Sequence, residues 1–202
     1  FWQGVAVEII DISNKAKLSE RLVAEWVAGS AVMKKISSEI AALHVQEVPP
    51  QHLGLLYIDG IFQGQLESGI HAWWSFNRSF KSNSIDLRLQ TMEVSGQDIL
   101  TKDKVPLRLN LTAGYRISDP LTASNSLVDI NGFLYKELQF ALRGAVGERT
   151  LDGLLEDKGT IDRDIAEYIG KKTANYGIMV ESVGVKDIIL PGEIRTILSK
   201  VV

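Results

Sequence analysis

Three histidines, His44, His52 and His71, are the side chains of this sequence best suited to proton transfer or metal binding near neutral pH. Their spacing supports neither. They fall in different predicted elements, none belongs to an H-E-x-x-H pair, and no two are spaced to hold a metal on one helix face. The chain has no cysteine, which removes disulfides, thiolate metal ligands and cysteine nucleophiles together and leaves the redox compartment unread. Ser68-Gly69 and Ser95-Gly96 lack the G-x-S-x-G frame of a nucleophile elbow. There is no phosphate-binding G-x-x-x-x-G-K-[ST] loop and no dinucleotide glycine fingerprint. Glu148, Asp152, Glu156 and Asp157 are grouped as a divalent-cation site or an acid/base pair would be. With Arg149 and Lys158 among them, they read instead as a solvated charged helix face. The expectation is a non-enzymatic protein with no catalytic residue, metal ligand or cofactor.

The chemistry that does stand out is that of contact. Trp73, Trp74, Phe76 and Phe80 crowd together, interleaved with Arg78 and Lys81. Three readings are open for this cluster: stacking on single-stranded nucleic acid, seating at a membrane interface, or packing within a core and its loops. A formal net charge of −3 and a sequence pI near 5.7 provide no basic field, which argues against nucleic acid. The membrane reading makes Trp73, Trp74 and Phe76 a membrane-proximal loop. A second group, Arg88, Arg108 and Arg116, projects from strands whose other face is apolar. Such a face meets either water or a partner, and arginine suits interface ion pairs, so these three are candidates for self-association.

The elements that must position these residues are legible in the hydrophobic pattern. Ile85, Leu87, Leu89 and Thr91 alternate with Asp86, Arg88 and Gln90, which predicts one strand through this stretch. A polar reversal at Thr101-Lys102-Asp103-Lys104 leads into a longer strand. There Leu107, Leu109, Leu111, Ala113, Tyr115 and Ile117 share one face, and Arg108, Asn110, Thr112 and Arg116 share the other. Asp119-Pro120 supplies an N-cap and a first-turn proline. Helices follow: a short one to near Asp129, one carrying Phe133, Leu134, Leu138, Ala141, Leu142, Ala145 and Val146, one capped by Thr150, and one capped by Thr160 over 161–176. Residues 178–190 read as a strand, and Pro191 opens a final helix with Ile194, Ile197, Leu198 and Val201 on its apolar side. Upstream, Pro49-Pro50 marks a boundary, and Asp59-Gly60 turns a hairpin. Residues 1–47 read as a strand over 5–12 and two amphipathic helices, the second carrying Val32, Met33, Ile36, Ile40 and Leu43.

The phrase LTKDKVPLRLNLTAGYRISDP resembles the signature of the stomatin/prohibitin superfamily (SPFH or band-7 domains). The likeness continues through LRGAVGERTLDGLLEDKGTIDRDI and YGIMVESVGVKDIILPGEI, and Gly54, Gly60, Gly64, Gly69 and His71 match a further glycine-rich segment. Within the superfamily the chain is similar to prokaryotic stomatin-like proteins, the slipins. The resemblance implies an α+β fold: a twisted, mostly antiparallel sheet with helices on one side, leading into a C-terminal coiled-coil helix. It implies a membrane-associated homo-oligomer at a prokaryotic plasma membrane that organises or regulates membrane proteins, and an NfeD-family membrane protein, in some cases a protease, as partner. The competing expectation is a soluble adaptor that binds a peptide or protein through the Trp73/Trp74 loop.

At 202 residues, 45% hydrophobic and 23% charged, the chain suits a globular domain plus an appendage. The expected division is 1–47, a SPFH domain over 48–190, and the start of a helix over 191–202. No apolar run approaches the roughly 18–20 residues that span a bilayer. The chain opens on Phe1 rather than Met, which suits a piece of a longer protein.

Overall fold

A computed structural model describes residues 17–31 and 43–192. The expected strand over 5–12, most of the second amphipathic helix and the final helix after Pro191 lie outside the described residues. The chain forms two compact units, Phe1–Asp86 and Leu87–Val202.

The N-terminal unit contains α1 (Glu20–Val27), β1 (Leu43–Val48), β2 (His52–Ile58), β3 (Ile61–Leu66), β4 (Gly69–Trp74) and β5 (Phe80–Asp86). β1 and β4 pair as an antiparallel ribbon, and β3, β2 and β5 form a second antiparallel sheet in that order. Asp59-Gly60 joins β2 to β3 with positive φ at both positions (52° and 80°), the backbone of a two-residue hairpin turn. Because strand side chains alternate, the ribbon has two apolar faces. One carries Val48 and Trp73 and packs on Leu56, Leu66, Ile58 and Phe80 of the three-stranded sheet. The other carries Leu43, Val45, Ala72 and Trp74 and packs on Leu18, Leu22, Val23 and Trp26 in and just before α1. The ribbon is therefore the middle layer of three. Leu43, expected at the end of a helix, opens β1, and that strand runs across residue 47 into Val48.

The C-terminal unit contains β6 (Gln90–Leu100), β7 (Pro106–Ile117), α2 (Pro120–Ser126), α3 (Ile130–Gly147), α4 (Leu151–Glu156), α5 (Lys158–Thr173), a 3-10 turn (Ala174–Tyr176) and β8 (Ile178–Ile189). Its sheet is antiparallel in the order β6-β7-β8. The six residues expected on the inner face of β7 are all buried, and Arg108 and Arg116 are exposed on the outer face. α3 and α5 cover the inner side, burying Leu134, Leu138 and Leu142 from one helix and Ile161, Ile165 and Ile169 from the other. Burial of each such side chain contributes about 1.5–3 kcal/mol. The fold is α+β, with an antiparallel sheet and helices against it.

Two expectations need correction. The alternating run at 85–91 is not one strand: β5 ends at Asp86 and β6 begins at Gln90, in different sheets. Arg88 sits in the bend between them. Alternation is a local signal that survives a bend when no glycine or proline marks it. The cap of α5 is Asp157, three residues before the expected Thr160, and its side chain accepts from the Thr160 N–H. The carboxylate captures the threonine hydroxyl as well.

Both ends of β7 are held by side-chain and backbone clamps. At the start, the Thr101 hydroxyl accepts from Val105 N–H (2.9 Å) and donates to Asp103 (2.5 Å). Asp103 in turn accepts from Leu151 N–H (3.2 Å) at the start of α4, and Lys102 N–H donates to Arg149 C=O (2.8 Å). At the finish, Ser118 and Asp119 both donate to Gly177 C=O (2.8 and 3.0 Å). Asp119 also caps α2 by accepting from Thr122 N–H (3.1 Å). Gly177 has φ 66°, and a Cβ placed there would lie 2.3 Å from Asp119 O. Gly177→Ala thus meets both a left-handed backbone and a backbone collision, and it should destabilise the protein by at least about 1–3 kcal/mol. Urea unfolding followed by far-UV circular dichroism checks this; an unchanged midpoint would remove the clamp from the account.

Candidate functional site

The aromatic cluster is not a loop. Trp73 and Trp74 are the last two residues of β4, and their alternation sends them into different cores. Trp73 is 3% exposed, so it presents no surface to lipid or to a peptide. Phe76, in the turn that follows, is 44% exposed and stacks on Trp74 with ring centroids 6.2 Å apart. Of the three expected loop residues, Trp73 is buried, Trp74 is half-buried and Phe76 is exposed.

The sequence reading missed Phe76's neighbours at this end of the sheet. The Asp59-Gly60 turn is pinned to the 75–79 turn by Asp59 N–H to Ser79 C=O (2.8 Å) and Ser79 N–H to Asp59 Oδ1 (2.8 Å). That brings Ile61 (66% exposed) and Phe62 (37% exposed) to the same end as Phe76. Phe62 packs edge-on against Tyr57 at 5.6 Å, and exposed Arg78 and Lys81 flank the group. One signal was available: two consecutive apolar residues directly after a two-residue turn cannot both face one core. Ile61 pairs with Ile58 and Phe62 with Tyr57 on alternate faces, and both are exposed where the hairpin ends.

The histidines are placed apart from any catalytic partner. His52 Nδ1 meets Pro50 C=O (2.9 Å), and its Nε2 lies 3.9 Å from Asp86. His71 Nε2 meets Glu67 C=O (2.8 Å). His44 stacks on Phe80 at 5.1 Å, and its Nε2 is buried without a hydrogen-bond partner among the described residues. Burial pushes the His44 imidazole below its ordinary value.

The arginines expected to serve self-association are partly engaged within the chain. Arg108 lies across from Asp98 on β6 and makes a two-pronged ion pair at 2.9 and 3.2 Å. That contact holds Asp98 below the usual carboxylate range and Arg108 above its own. Arg116 pairs with Glu181 on β8 at 2.8 Å. Beside them Asn110 donates to Asp187 (3.4 Å) and Lys186 reaches Glu93 (3.8 Å). The outer sheet face is thus a lattice of opposite charges, with exposed Leu100 and Ile189 toward one end and Met179 toward the other. Arg88 lies off this face, in the bend before β6.

The carboxylates have structural employment. Asp157 and Asp152 sit at helix starts, where a negative charge meets the exposed N–H groups. Hydrogen bonds from Thr160 hold the Asp157 carboxyl below the usual carboxylate range, those from Thr122 do the same for Asp119, and those led by Thr101 for Asp103. A groove of about 490 Å³ between α3 and α5 is lined by Phe140, Gly144 and Tyr168. Two of its three acids are paired, Asp164 with Arg149 and Glu167 with Lys171, and the third is Glu148. Among the described residues no three His, Asp or Glu side chains gather as a metal site, and no helix is long and apolar enough to cross a membrane.

The fold is antiparallel α+β, with several of its charged side chains placed in helix caps and cross-strand pairs. The chain belongs to the SPFH domain / Band 7 family, whose profile matches residues 46–202. It is 31% identical over 120 residues to a stomatin homolog of Pyrococcus abyssi, covering 59% of this chain and 45% of the relative. It is 32% identical over 115 residues to an uncharacterized protein of Archaeoglobus fulgidus, covering 57% of this chain and 46% of that one. It is 34% identical over 110 residues to protein unc-1 of Caenorhabditis elegans, covering 54% and 39%. The chain spans under half the length of these relatives.

The two aromatic sites separate on substitution. Trp73→Ala should cost about 3–5 kcal/mol, as large core truncations do. Phe76→Ser should shift stability by no more than about 0.5 kcal/mol. Chemical denaturation of both variants checks this, and similar losses would contradict the assignment of Trp73 to the core and Phe76 to the surface.

Proposed function

We propose that this chain is the domain of a non-enzymatic, membrane-associated scaffold that self-associates and organises or regulates membrane proteins. Family membership supports the class, and the observation that carries the membrane contact is the exposed tip of Ile61, Phe62 and Phe76. Apolar and aromatic side chains at a rigid turn suit the headgroup layer, and Arg78 and Lys81 beside them suit anionic lipid. The contact moves one strand-end away from the tryptophan pair and keeps Phe76. An NfeD-family membrane protein remains the partner that the resemblance implies.

Self-association through the outer sheet face belongs to the same reading. Arg108 and Arg116 lie within a charge lattice that a neighbouring copy can match in register, and the exposed apolar residues at its two ends can be covered by that neighbour. Ion pairs of this kind contribute more to choice and orientation of partner than to affinity.

Flotation with vesicles containing anionic phosphatidylglycerol tests the tip. The triple variant Ile61→Ser/Phe62→Ser/Phe76→Ser should lose at least about tenfold in bound fraction, since about 1.4 kcal/mol of lost burial corresponds to tenfold. Equal flotation of variant and parent would count against it. The sheet face is tested by the exchange Asp98→Arg/Arg108→Asp, which preserves the pair within the chain and inverts the pattern shown to a neighbour. Light scattering should report a lower molar mass at unchanged far-UV circular dichroism, and an unchanged mass would sink this contact.

A further inference from the structure

His44 lies at the junction between the ribbon and the three-stranded sheet of the N-terminal unit. Its register partner is Trp73, with ring centroids 6.0 Å apart and planes at 40°. Phe80 of β5 lies nearly parallel at 5.1 Å and 15°. Phe80 and Trp73 themselves sit 5.9 Å apart, so the imidazole closes a three-ring cluster drawn from β1, β4 and β5. Those rings, with Val48, Leu56 and Leu66, are what the ribbon and the sheet share.

The ring is half-buried, with one of its two nitrogens fully enclosed. Its Nε2 is buried with no hydrogen-bond acceptor among the described residues. Strand alternation and register decide which charged groups face it. From β4 the titratable neighbour on the same face is His71, stacked on Trp73 at 6.0 Å with Nε2 occupied by Glu67 C=O. From β2 that face presents Gly54, Leu56 and Ile58, and from β5 it presents Phe80, Ser82 and Ser84. Lys81 lies on the other face of β5 from Phe80; Asp86 shares Phe80's face but lies six residues along the strand, where it meets His52. On β1, Glu47 points the other way and is exposed. α1 lies across the opposite face of the ribbon, with Glu20, Arg21 and Glu25 exposed and Lys17 in a backbone bridge to Trp73. Among the described residues no carboxylate is placed beside the imidazole to balance a proton's charge.

We propose that His44 is an acid-sensitive latch: protonating it separates the β1–β4 ribbon from the β3–β2–β5 sheet while the C-terminal unit stays folded. A charged imidazole packed against two aromatic rings, with an enclosed Nε2–H that no described residue accepts, is costly to hold in place. The direction of the pH dependence follows. The folded state holds the imidazole below its unfolded value of about 6.5 because burial disfavours the charged form. Stability is therefore complete above the unfolded value and is lost as pH falls through the folded one. The acids of the C-terminal unit act in another range. Asp103, Asp119 and Asp157 are lowered by their capping hydrogen bonds, so their contribution persists until the pH approaches ordinary carboxylate values.

The distribution of tryptophan makes the two units separately visible. Trp2, Trp26, Trp73 and Trp74 all precede Asp86, and the C-terminal unit has none. The experiment follows tryptophan emission and far-UV circular dichroism of the whole chain from pH 7.5 to pH 4.5, for the parent, His44→Phe, His44→Gln and His71→Asn. The parent and His71→Asn should show a red-shifting emission below about pH 6.5, with most of the dichroism retained. The unfolding equilibrium should shift by up to tenfold per pH unit between the two imidazole values. Either folded His44 variant should abolish the shift. A flat emission in the parent overturns the proposal, as does a transition that survives in whichever of His44→Phe or His44→Gln folds. If neither folds, the imidazole carbon shift of His44 in the parent decides by nuclear magnetic resonance. Titration of that ring at an ordinary value, with tryptophan emission unmoved, would equally overturn it.

Discussion

Everything in the C-terminal unit depends on burying one face of β7. Six alternate residues of that strand, from Leu107 to Ile117, are removed from water, and each neighbour is positioned by them. A one-residue slip would turn all six outward and bring Arg108 and Arg116 into the core. The clamps at 101–105 and 118–119 prevent that slip from either end. The Thr101-Lys102-Asp103 phrase is spent on satisfying backbone N–H groups at a turn and at the start of α4. The tyrosine in the strand serves the same end: its hydroxyl lies 2.7 Å from Asn131 Oδ1 on α3 and 3.1 Å from Gln90 Oε1 on β6.

The N-terminal unit solves a different problem. A two-stranded ribbon alone is marginal in water, since neither face is covered. Here both faces are covered, by the sheet on one side and α1 on the other, and the consecutive Trp73 and Trp74 each fill one of the two interiors. Trp74 does so at a cost, because its buried Nε1 has no partner among the described residues. His44 Nε2 shares that condition, on the opposite face of the same ribbon.

Period and turn chemistry made the C-terminal unit readable. The inner face of β7, the reversal at 101–104, the cap at Asp119 and the apolar stripe of α3 all rest on local patterns, and all appear in the structure. What was not readable rests on pairing between distant segments. Nothing in Ser84–Thr91 announces that its first half pairs with β2 and its second with β7. Nothing in Ala72-Trp73-Trp74 alone distinguishes a buried middle strand from an aromatic loop, because that depends on a helix some fifty residues upstream and a strand ribbon partner some thirty upstream. The arginines were legible as an outward row, but their partners Asp98 and Glu181 follow from register, which bulges in β6 and β8 displace. The Asp157 cap was hidden by Thr160, an equally good capping residue that the carboxylate instead binds.

The pinning of the 59–60 turn to Ser79 has a kinetic consequence. Two hydrogen bonds hold the apolar tip in shape before it meets anything, so little chain ordering opposes contact and little refolding delays release. On the proposed membrane reading, three side chains seated in this way would give a contact that forms quickly and also breaks quickly. Residence would then depend on how many copies arrive linked to one another, since a second tip joined to the first sees the surface at a high effective concentration. A single subunit would sample the surface; a row of them would dwell there.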